Sequence, residues 1–177
     1  KVDKKDVPIS ETCPIKPASP YAVSKVTQDL LCDVYYRSYG LNSIRTRMFS
    51  YLNPRREDLF ATSFARQIVM IEKGIKDTLV HGNLDSIRTI IDRRDAMRAY
   101  WIAATECEIG EVYNIGGEET ISVGEFLEIL LKKAKCKITT KLSQKLMRPN
   151  DVTLQIPDCS KFKGSTTWKA KYNLEDS

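Results

Sequence analysis

The sequence is poor in the residues that build metal centres. It has one histidine, His81, and its five cysteines (Cys13, Cys32, Cys107, Cys136 and Cys159) are odd in number, widely spaced and without a Cys-x-x-Cys. A zinc site needs clustered thiolate and imidazole ligands, so no metal is expected. Free thiols in a reducing cytoplasm are the simple account of the cysteines, and the lone His81 reads as a strand-end or loop residue. No apolar run is long enough to span a bilayer and no signal-peptide pattern opens the chain, which points to a cytoplasmic protein. Repeats and low-complexity linkers are absent as well. The net charge of +5 comes from 28 Lys+Arg against 23 Asp+Glu. Basic runs such as Lys132-Lys133-Ala134-Lys135 are offset by acids elsewhere, and no basic stripe with interleaved aromatics marks a nucleic-acid surface. The mild excess suits solvated faces and a polyphosphate-bearing ligand. The chain also has no Gly-x-Gly-x-x-Gly or Gly-x-x-Gly-x-x-Gly turn, which a dinucleotide-binding sheet carries after its first strand.

What is present is an ordinary globular composition, 42% hydrophobic and 29% charged over 177 residues, enough for one domain or part of a larger one. Lys1 to Pro8 is charged and aperiodic, and a Pro-punctuated loop follows to Pro17. A helix is expected from Pro20 to Tyr39, stopped by Gly40. Its apolar residues Val23, Val26, Leu30, Leu31, Val34 and Tyr35 cover more than one stripe, which predicts burial on two sides, against a sheet and against a partner helix. Ile44, Thr46 and Met48 alternate with Arg45 and Arg47 in a strand over residues 41–49. A polar loop, Ser50 to Asp58, follows that strand's carboxyl end, the place where open α/β sheets bind ligands. Further helices are expected over 60–73, 93–107 and 123–135, the last opened by the capping box Ser122-Val123-Gly124-Glu125. Strands are expected over 78–82, 88–92, 112–117 and 137–141. Asp158 to Phe162 reads as a short helical turn, Trp168 and Tyr172 as late-packing residues, and a capped helix is expected to begin at Leu174. The alternation predicts a βα-based fold with parallel pairing.

The most informative stretch is Ser19-Pro20-Tyr21-Ala22-Val23-Ser24-Lys25. Ser19 suits an N-cap and Pro20 the first helical position. Tyr21 and Lys25 then share one face of the helix. A phenol has a pKa near ~10, which a neighbouring cation lowers. Such a pair can take a proton from a hydroxyl while hydride leaves the same carbon. A surface tyrosine beside a solvated lysine has the same spacing, so context has to decide.

That context is Glu11-Thr12-Cys13-Pro14-Ile15-Lys16-Pro17-Ala18-Ser19-Pro20-Tyr21-Ala22-Val23-Ser24-Lys25, which resembles the segment leading into the active site of the extended short-chain dehydrogenase/reductase family. Four later stretches resemble its nucleotide-sugar branch, above all the GDP-mannose 4,6-dehydratases and the GDP-4-keto-6-deoxymannose reductases. Phe49-Ser50-Tyr51-Leu52-Asn53-Pro54-Arg55-Arg56 keeps the family's Pro-Arg-Arg but has Ser50 and Tyr51 for its Asn-His. Gly82-Asn83-Leu84-Asp85-Ser86-Ile87-Arg88 keeps Gly-Asn-Leu-Asp-x-x-Arg but continues with Thr89-Ile90 where the family has aspartate and an aromatic residue. Asp92-Arg93-Arg94-Asp95 matches a helix start read as structural. Arg148-Pro149-Asn150-Asp151-Val152 resembles Arg-Pro-x-Glu-Val, with Asp151 one methylene shorter.

The resemblance implies an α/β fold: the C-terminal part of a Rossmann-type extended enzyme, with the smaller substrate-binding region and without the first βαβ half. Residues 1–49 would be the last part of the Rossmann domain, and residues 50–177 mainly the substrate-binding region interleaved with remaining Rossmann elements. It implies Tyr21 and Lys25 as catalytic residues that also hold the cofactor, NADP before NAD, together with Tyr51 and Arg56. It implies a GDP-sugar held by Ser50, Thr62, Asn83, Arg88, Arg148 and Asp151, with Arg66 a further possible contact. In the implied dehydratase reaction, Tyr21 takes the proton of the sugar 4-hydroxyl as hydride passes to NADP. A glutamate removes the proton at carbon 5, water leaves from carbon 6, and hydride returns there. That glutamate and the Ser/Thr partner of Tyr21 would precede Lys1, so the chain is expected to be part of a longer protein. A reductase or an epimerase of a related nucleotide sugar stays open beside the dehydratase, Ser63-Phe64-Ala65-Arg66-Gln67-Ile68 being reductase-like; a non-catalytic substrate-binding fragment is the third reading. The resemblance also implies a homodimer or homotetramer built through the helix Pro20–Tyr39.

Overall fold

A computed structural model of the chain describes residues 2, 4–147 and 153–177. Among these, seven strands and five α-helices follow in the order α1 (Pro20–Tyr39), β1 (Arg45–Met48), α2 (Phe60–Glu72), β2 (Thr78–His81), β3 (Ile87–Ile90), α3 (Arg93–Glu106), β4 (Val112–Ile115), β5 (Glu119–Ser122), α4 (Val123–Lys133), β6 (Thr139–Leu142), β7 (Leu154–Gln155) and α5 (Ser160–Ser165). β1 pairs with β4 and β2 with β6, both parallel. β3 sits between β5, antiparallel, and β7, parallel.

The helix boundaries follow local chemistry. The Ser19 hydroxyl accepts from the Ala22 N–H at 3.1 Å. Gly40 closes α1 in the left-handed region at φ 66, its N–H donating to the Tyr36 carbonyl at 3.1 Å. Asp92 caps α3 by accepting from the Arg94 N–H at 2.7 Å. At α4 the capping box is complete: the Ser122 hydroxyl accepts from the Glu125 N–H and the Glu125 carboxylate from the Ser122 N–H. The expectations missed β5 and β7. The first is antiparallel and begins two residues after the glycine turn Gly116-Gly117; the second is two residues long, too short to show a period. At Leu174 the chain forms a turn and not the expected helix start.

Two apolar clusters form. Phe64, Ile68, Leu79, Ile90, Phe126 and Leu127 join α2, β2, β3 and α4. Ile91, Ala96, Ala99, Ala103, Tyr113, Ile115, Phe162 and Trp168 join α3, β4 and α5, with Ile44 and Met48 from the β1 segment packed against them. The turn from β4 carries the chain between the clusters, and a Cβ on Gly117 would stand 1.8 Å from the Ile90 carbonyl oxygen, which excludes any other residue there.

α1 departs from its expected environment. None of its residues is buried, whereas two-sided burial was expected. Its half-buried stripe includes Ala22, Val26, Asp29, Asp33 and Tyr36, while Val23, Leu30, Leu31, Val34 and Tyr35 face outward at 44–52% exposure. The apolar residues thus lie opposite the sheet, and the inward face carries two carboxylates.

Asp95 is fully buried and ties the tail to α3. Its carboxylate accepts from Arg98 Nη1 at 2.6 Å and from the N–H groups of Lys171 and Tyr172 at 2.8 and 3.0 Å, and its carbonyl accepts from Trp168 Nε1 at 3.2 Å. Removing one partner from a buried ionic network costs ~3–5 kcal/mol. Asp95→Ala should therefore lower unfolding free energy by about that much in urea titration, and Asp95→Asn by less; an unchanged midpoint for the alanine variant would contradict the role. One turn earlier, hydrogen bonds from Arg94 hold the Asp92 carboxyl down to about 2, below its ordinary 3.8. The folded-state value is depressed, so this stabilisation is present above pH ~4 and lost as pH falls towards 2. Asp92→Asn should flatten that acid limb, measured as thermal midpoint against pH.

Candidate active site

The carboxyl end of β1 builds the site. Phe49 N–H donates to the Ile115 carbonyl at 2.8 Å, keeping the chain against β4 for one further residue. The chain then turns alongside the end of β3: Ile91 N–H donates to the Ser50 carbonyl at 3.0 Å, Leu52 N–H donates to the Ile91 carbonyl at 3.1 Å, and Tyr51 forms a parallel bridge with Ile91. The segment between the two clusters is thus held by backbone bonds, with Tyr51 packed against one cluster and Leu52 against the other.

Tyr21 stands on the first turn of α1 and is 71% exposed. Lys25 lies one turn on, its Nζ over the Tyr21 ring at 5.6 Å from the centroid and donating to Gln28 Oε1 at 3.1 Å. Arg56 forms a two-pronged pair with Asp58, at 2.8 and 2.7 Å. These bonds, and then the carboxylate's charge, raise the guanidinium's affinity for its proton; smaller contributions come from Tyr21 and Tyr51, which places both phenols within electrostatic reach of Arg56. Tyr51 and Arg56 thus stand on the loop past β1, and Tyr21 and Lys25 share one face of the first turns of α1.

Ser50 joins a second group. Its hydroxyl lies 3.4 Å from Gln155 Oε1, and Gln155 is the register partner of Arg88 across β7 and β3. Arg88 itself donates from Nη1 to the Ile87 carbonyl at 3.0 Å. Asn83 lies towards the other end of β3, where its Oδ1 accepts from the Asp85 N–H at 2.9 Å in a tight turn. Thr62 does not offer its hydroxyl freely, since it donates to the Asn53 carbonyl at 3.0 Å. Arg66 pairs with Glu57, turned towards the loop. His81 ends β2, its Nδ1 2.8 Å from the Gly82 carbonyl. Arg148 and Asp151 lie outside the described residues. The departure at Thr89 is accommodated internally: its hydroxyl meets that of Thr120 at 2.9 Å, across β3 and β5.

Several residues at the site were not singled out from the sequence. Arg47 Nε donates to Asp29 Oδ2 at 2.5 Å and its Nη1 to the Glu11 carbonyl at 2.8 Å. The Glu11 carboxylate accepts from the Asn114 N–H at 2.8 Å, and the buried Asn114 side chain donates to the Ile9 carbonyl at 2.8 Å. A legible signal existed: two arginines alternate on one face of β1, and two aspartates stand four apart on the helix before it. No group of three or more possible metal-ligating side chains forms among the described residues.

Comparison with known proteins gives the family. The sequence profile described as GDP-mannose 4,6 dehydratase matches residues 3–177. The chain is 30% identical over 171 residues to GDP-mannose 4,6 dehydratase 1 of Arabidopsis thaliana, covering 95% of this chain and 47% of that protein. It is 27% identical to the GDP-6-deoxy-D-mannose reductase of Pseudomonas aeruginosa, covering 97% of this chain and 57% of that one. The chain thus spans about half the length of these curated relatives. Among solved structures it superposes on RMD from Pseudomonas aeruginosa complexed with NADPH with a TM-score of 0.91 at 26% identity, over 100% of this chain and 59% of that one. It also superposes on the UDP-glucuronic acid 4-epimerase of Bacillus cereus in complex with UDP-glucuronic acid and NAD, with a TM-score of 0.83 at 26% identity, over 95% of this chain and 52% of that one. The fold is that of the extended, Rossmann-type short-chain dehydrogenases/reductases, and the chain belongs to the GDP-mannose 4,6-dehydratase family.

Proposed function

We propose that the chain carries the catalytic-helix part of an NADP-dependent GDP-mannose 4,6-dehydratase. The observation that carries the reading is the Tyr21–Lys25 pair on one face of the first turns of α1, with Tyr51 and Arg56 on the loop past the carboxyl end of β1, in a chain of that family. The α3–β4–α5 cluster with the β1 segment would be the Rossmann side and the α2–β2–β3–α4 cluster the substrate side, which assigns residues 50–177 to both in alternation.

The donor set suits the nicotinamide–ribose end of a dinucleotide. Lys25 and Tyr21 offer an ammonium and a hydroxyl to ribose oxygens, and Arg56 a planar fork suited to phosphate. When bound, NADP supplies hydride acceptance and return. Tyr21, exposed on the first turn, has its hydroxyl available for the sugar 4-hydroxyl and acts as the base. Lys25, over the ring, orients it and adds positive charge. Arg88, Ser50 and Asn83 line the way to the sugar nucleotide's diphosphate, with Arg148 and Asp151 assigned to the same ligand by motif alone. A second reading, reduction of a GDP-4-keto-6-deoxy sugar, is favoured by the superposition on RMD and the match to the reductase.

The outer face of α1, with Val23, Leu30, Leu31, Val34 and Tyr35 exposed, supports assembly into a homo-oligomer through this helix. No helix among the described residues is long and apolar enough to cross a membrane, which accords with a cytoplasmic location.

The decisive experiment incubates the full-length protein with NADP and GDP-mannose and weighs the product. A GDP-sugar lighter by one water supports the dehydratase; no product from GDP-mannose, with turnover of the 4-keto sugar by NADPH, establishes the reductase instead. Under the first outcome Tyr21→Phe should abolish turnover with GDP-sugar affinity nearly unchanged, and Arg56→Ala should weaken NADP binding ~10-fold or more, the loss of a charge-assisted contact. For the assembly, Leu30→Glu should lower the mass seen in sedimentation; an unchanged oligomer would move the interface elsewhere.

A further inference from the structure

We infer that Arg47 is a positioning residue: it clips both flanks of the segment that carries Tyr21 to the strand that ends in Ser50 and Tyr51. The inference rests on the proposed role of Tyr21 and concerns how that residue is held.

The geometry is specific. One guanidinium reaches Glu11 before the helix, through its carbonyl at 2.8 Å, and Asp29 within it, through its carboxylate at 2.5 Å. Tyr21 and Lys25 lie between these two points. Arg47 itself is three residues before Ser50 on β1. The Glu11 carboxylate continues the tie to β4 through the Asn114 N–H at 2.8 Å. The proton-transferring phenol and the cofactor-side loop are thereby referred to one side chain.

Apolar anchoring of α1 is sparse. The helix buries no residue, and Val23, Leu30, Leu31, Val34 and Tyr35 face away from the sheet; Ala22, Val26 and Tyr36 are half-buried, the Tyr36 ring lying against Gly110. Arg45 supports the same face, pairing with Asp33 at 3.1 Å and Asp29 at 3.5 Å and donating to the Gly110 carbonyl at 3.1 Å. Arg45 shares Asp29 with Arg47 and otherwise reaches later in the helix, to Asp33, whereas Arg47 joins Asp29 to the loop before Tyr21 through the Glu11 carbonyl. The pair is largely withdrawn from water, with side-chain exposures of 25% for Arg47 and 14% for Asp29, so it is weakly screened and directional. Lysine is no equivalent, since a single ammonium at that reach does not reproduce a fork that donates along two fixed directions.

Proton and hydride transfer from one carbon demand near-attack geometry, and a displacement of ~1 Å costs about 100-fold in rate. The test uses the full-length protein. Asp29→Leu combined with Arg47→Met replaces the ion pair by apolar groups and avoids stranding one charge. We expect its thermal midpoint to stay close to the parent's, kcat to fall by ~100-fold and the GDP-sugar KM to change less than about twofold. The hydride-transfer isotope effect with substrate deuterated at the reacting carbon should rise towards its full value. Arg47→Lys should fall between, and Arg37→Gln, at the exposed end of the same helix, should keep the parent's kcat. A folded double variant with the parent's kcat overturns the inference, as does a loss that only follows the folded fraction. If the double variant does not fold, Arg47→Lys decides by the same readings. Amide hydrogen exchange gives a reading independent of turnover: Arg47→Lys should speed exchange in the first turns of α1 and leave α3 and α4 unchanged, and unaltered exchange there refutes the clip. A parent inactive on both nucleotide sugars would instead refute the proposed function and leave that exchange measurement to judge Arg47.

Discussion

A helix that presents aspartates to its sheet has to be met by cations, and Arg45 and Arg47 on β1 meet Asp29 and Asp33 on α1. This lattice decides where α1 lies, and the rest of the site is laid out from it. An apolar interface between the same elements would tolerate sliding by part of a turn, because dispersion contacts are individually weak and non-directional. Charge-assisted hydrogen bonds in a half-dry interface have one good geometry. The arrangement has a cost, since each charge gives up water, and a buried ion pair contributes less stability than its Coulomb energy suggests. Registry is what it provides.

The lattice also explains the outward apolar face of α1. Helix residues that do not meet the sheet are free to be hydrophobic only where something else covers them, and six large apolar residues between Val23 and Tyr39 stand exposed. The inward face thus carries charge and the outward face apolar side chains, the reverse of an ordinary amphipathic surface helix. The other helices of the structure follow the usual plan: Ala96, Ala99 and Ala103 of α3 pack inward at helical spacing, and Val123, Phe126 and Leu127 of α4 do the same.

Much of this was legible in the residues. Helix boundaries were, because Ser19, Gly40, Asp92 and the Ser122/Glu125 box are local signals that act over one turn. The Tyr21-Lys25 pair was, because its spacing alone places both side chains on one face. β5 and β7 were not, since a strand of two to four residues beside a glycine turn has no period to read. The environment of α1 was half legible for a different reason: its apolar residues mark the face away from the sheet, but spacing does not show that the sheet side is met through Asp29 and Asp33 by the arginines that follow. Nor can spacing disclose that Gln155 links Ser50 to Arg88, or that Glu11 reaches Asn114 across more than a hundred residues; those contacts exist only once β1, β3, β4 and β7 are assembled.

Burial then sorts the arginines into two kinds. Arg45 and Arg47 have side-chain exposures of 17% and 25%, and their carboxylate partners Asp29 and Asp33 are at 14% and 18%, so exchanging those partners for a ligand would strand largely buried charge. Arg56 and Asp58, at 56% and 67%, and Arg66 and Glu57, at 57% and 67%, are paired in water, where an ion pair contributes little and is readily exchanged. On the proposed reading, a nucleotide phosphate approaching the loop after β1 would meet cations that can trade a carboxylate for it at small cost, while the arginines that hold α1 stay committed. The same residue type serves structure on the strand and binding beyond its end, and water access is the difference between them.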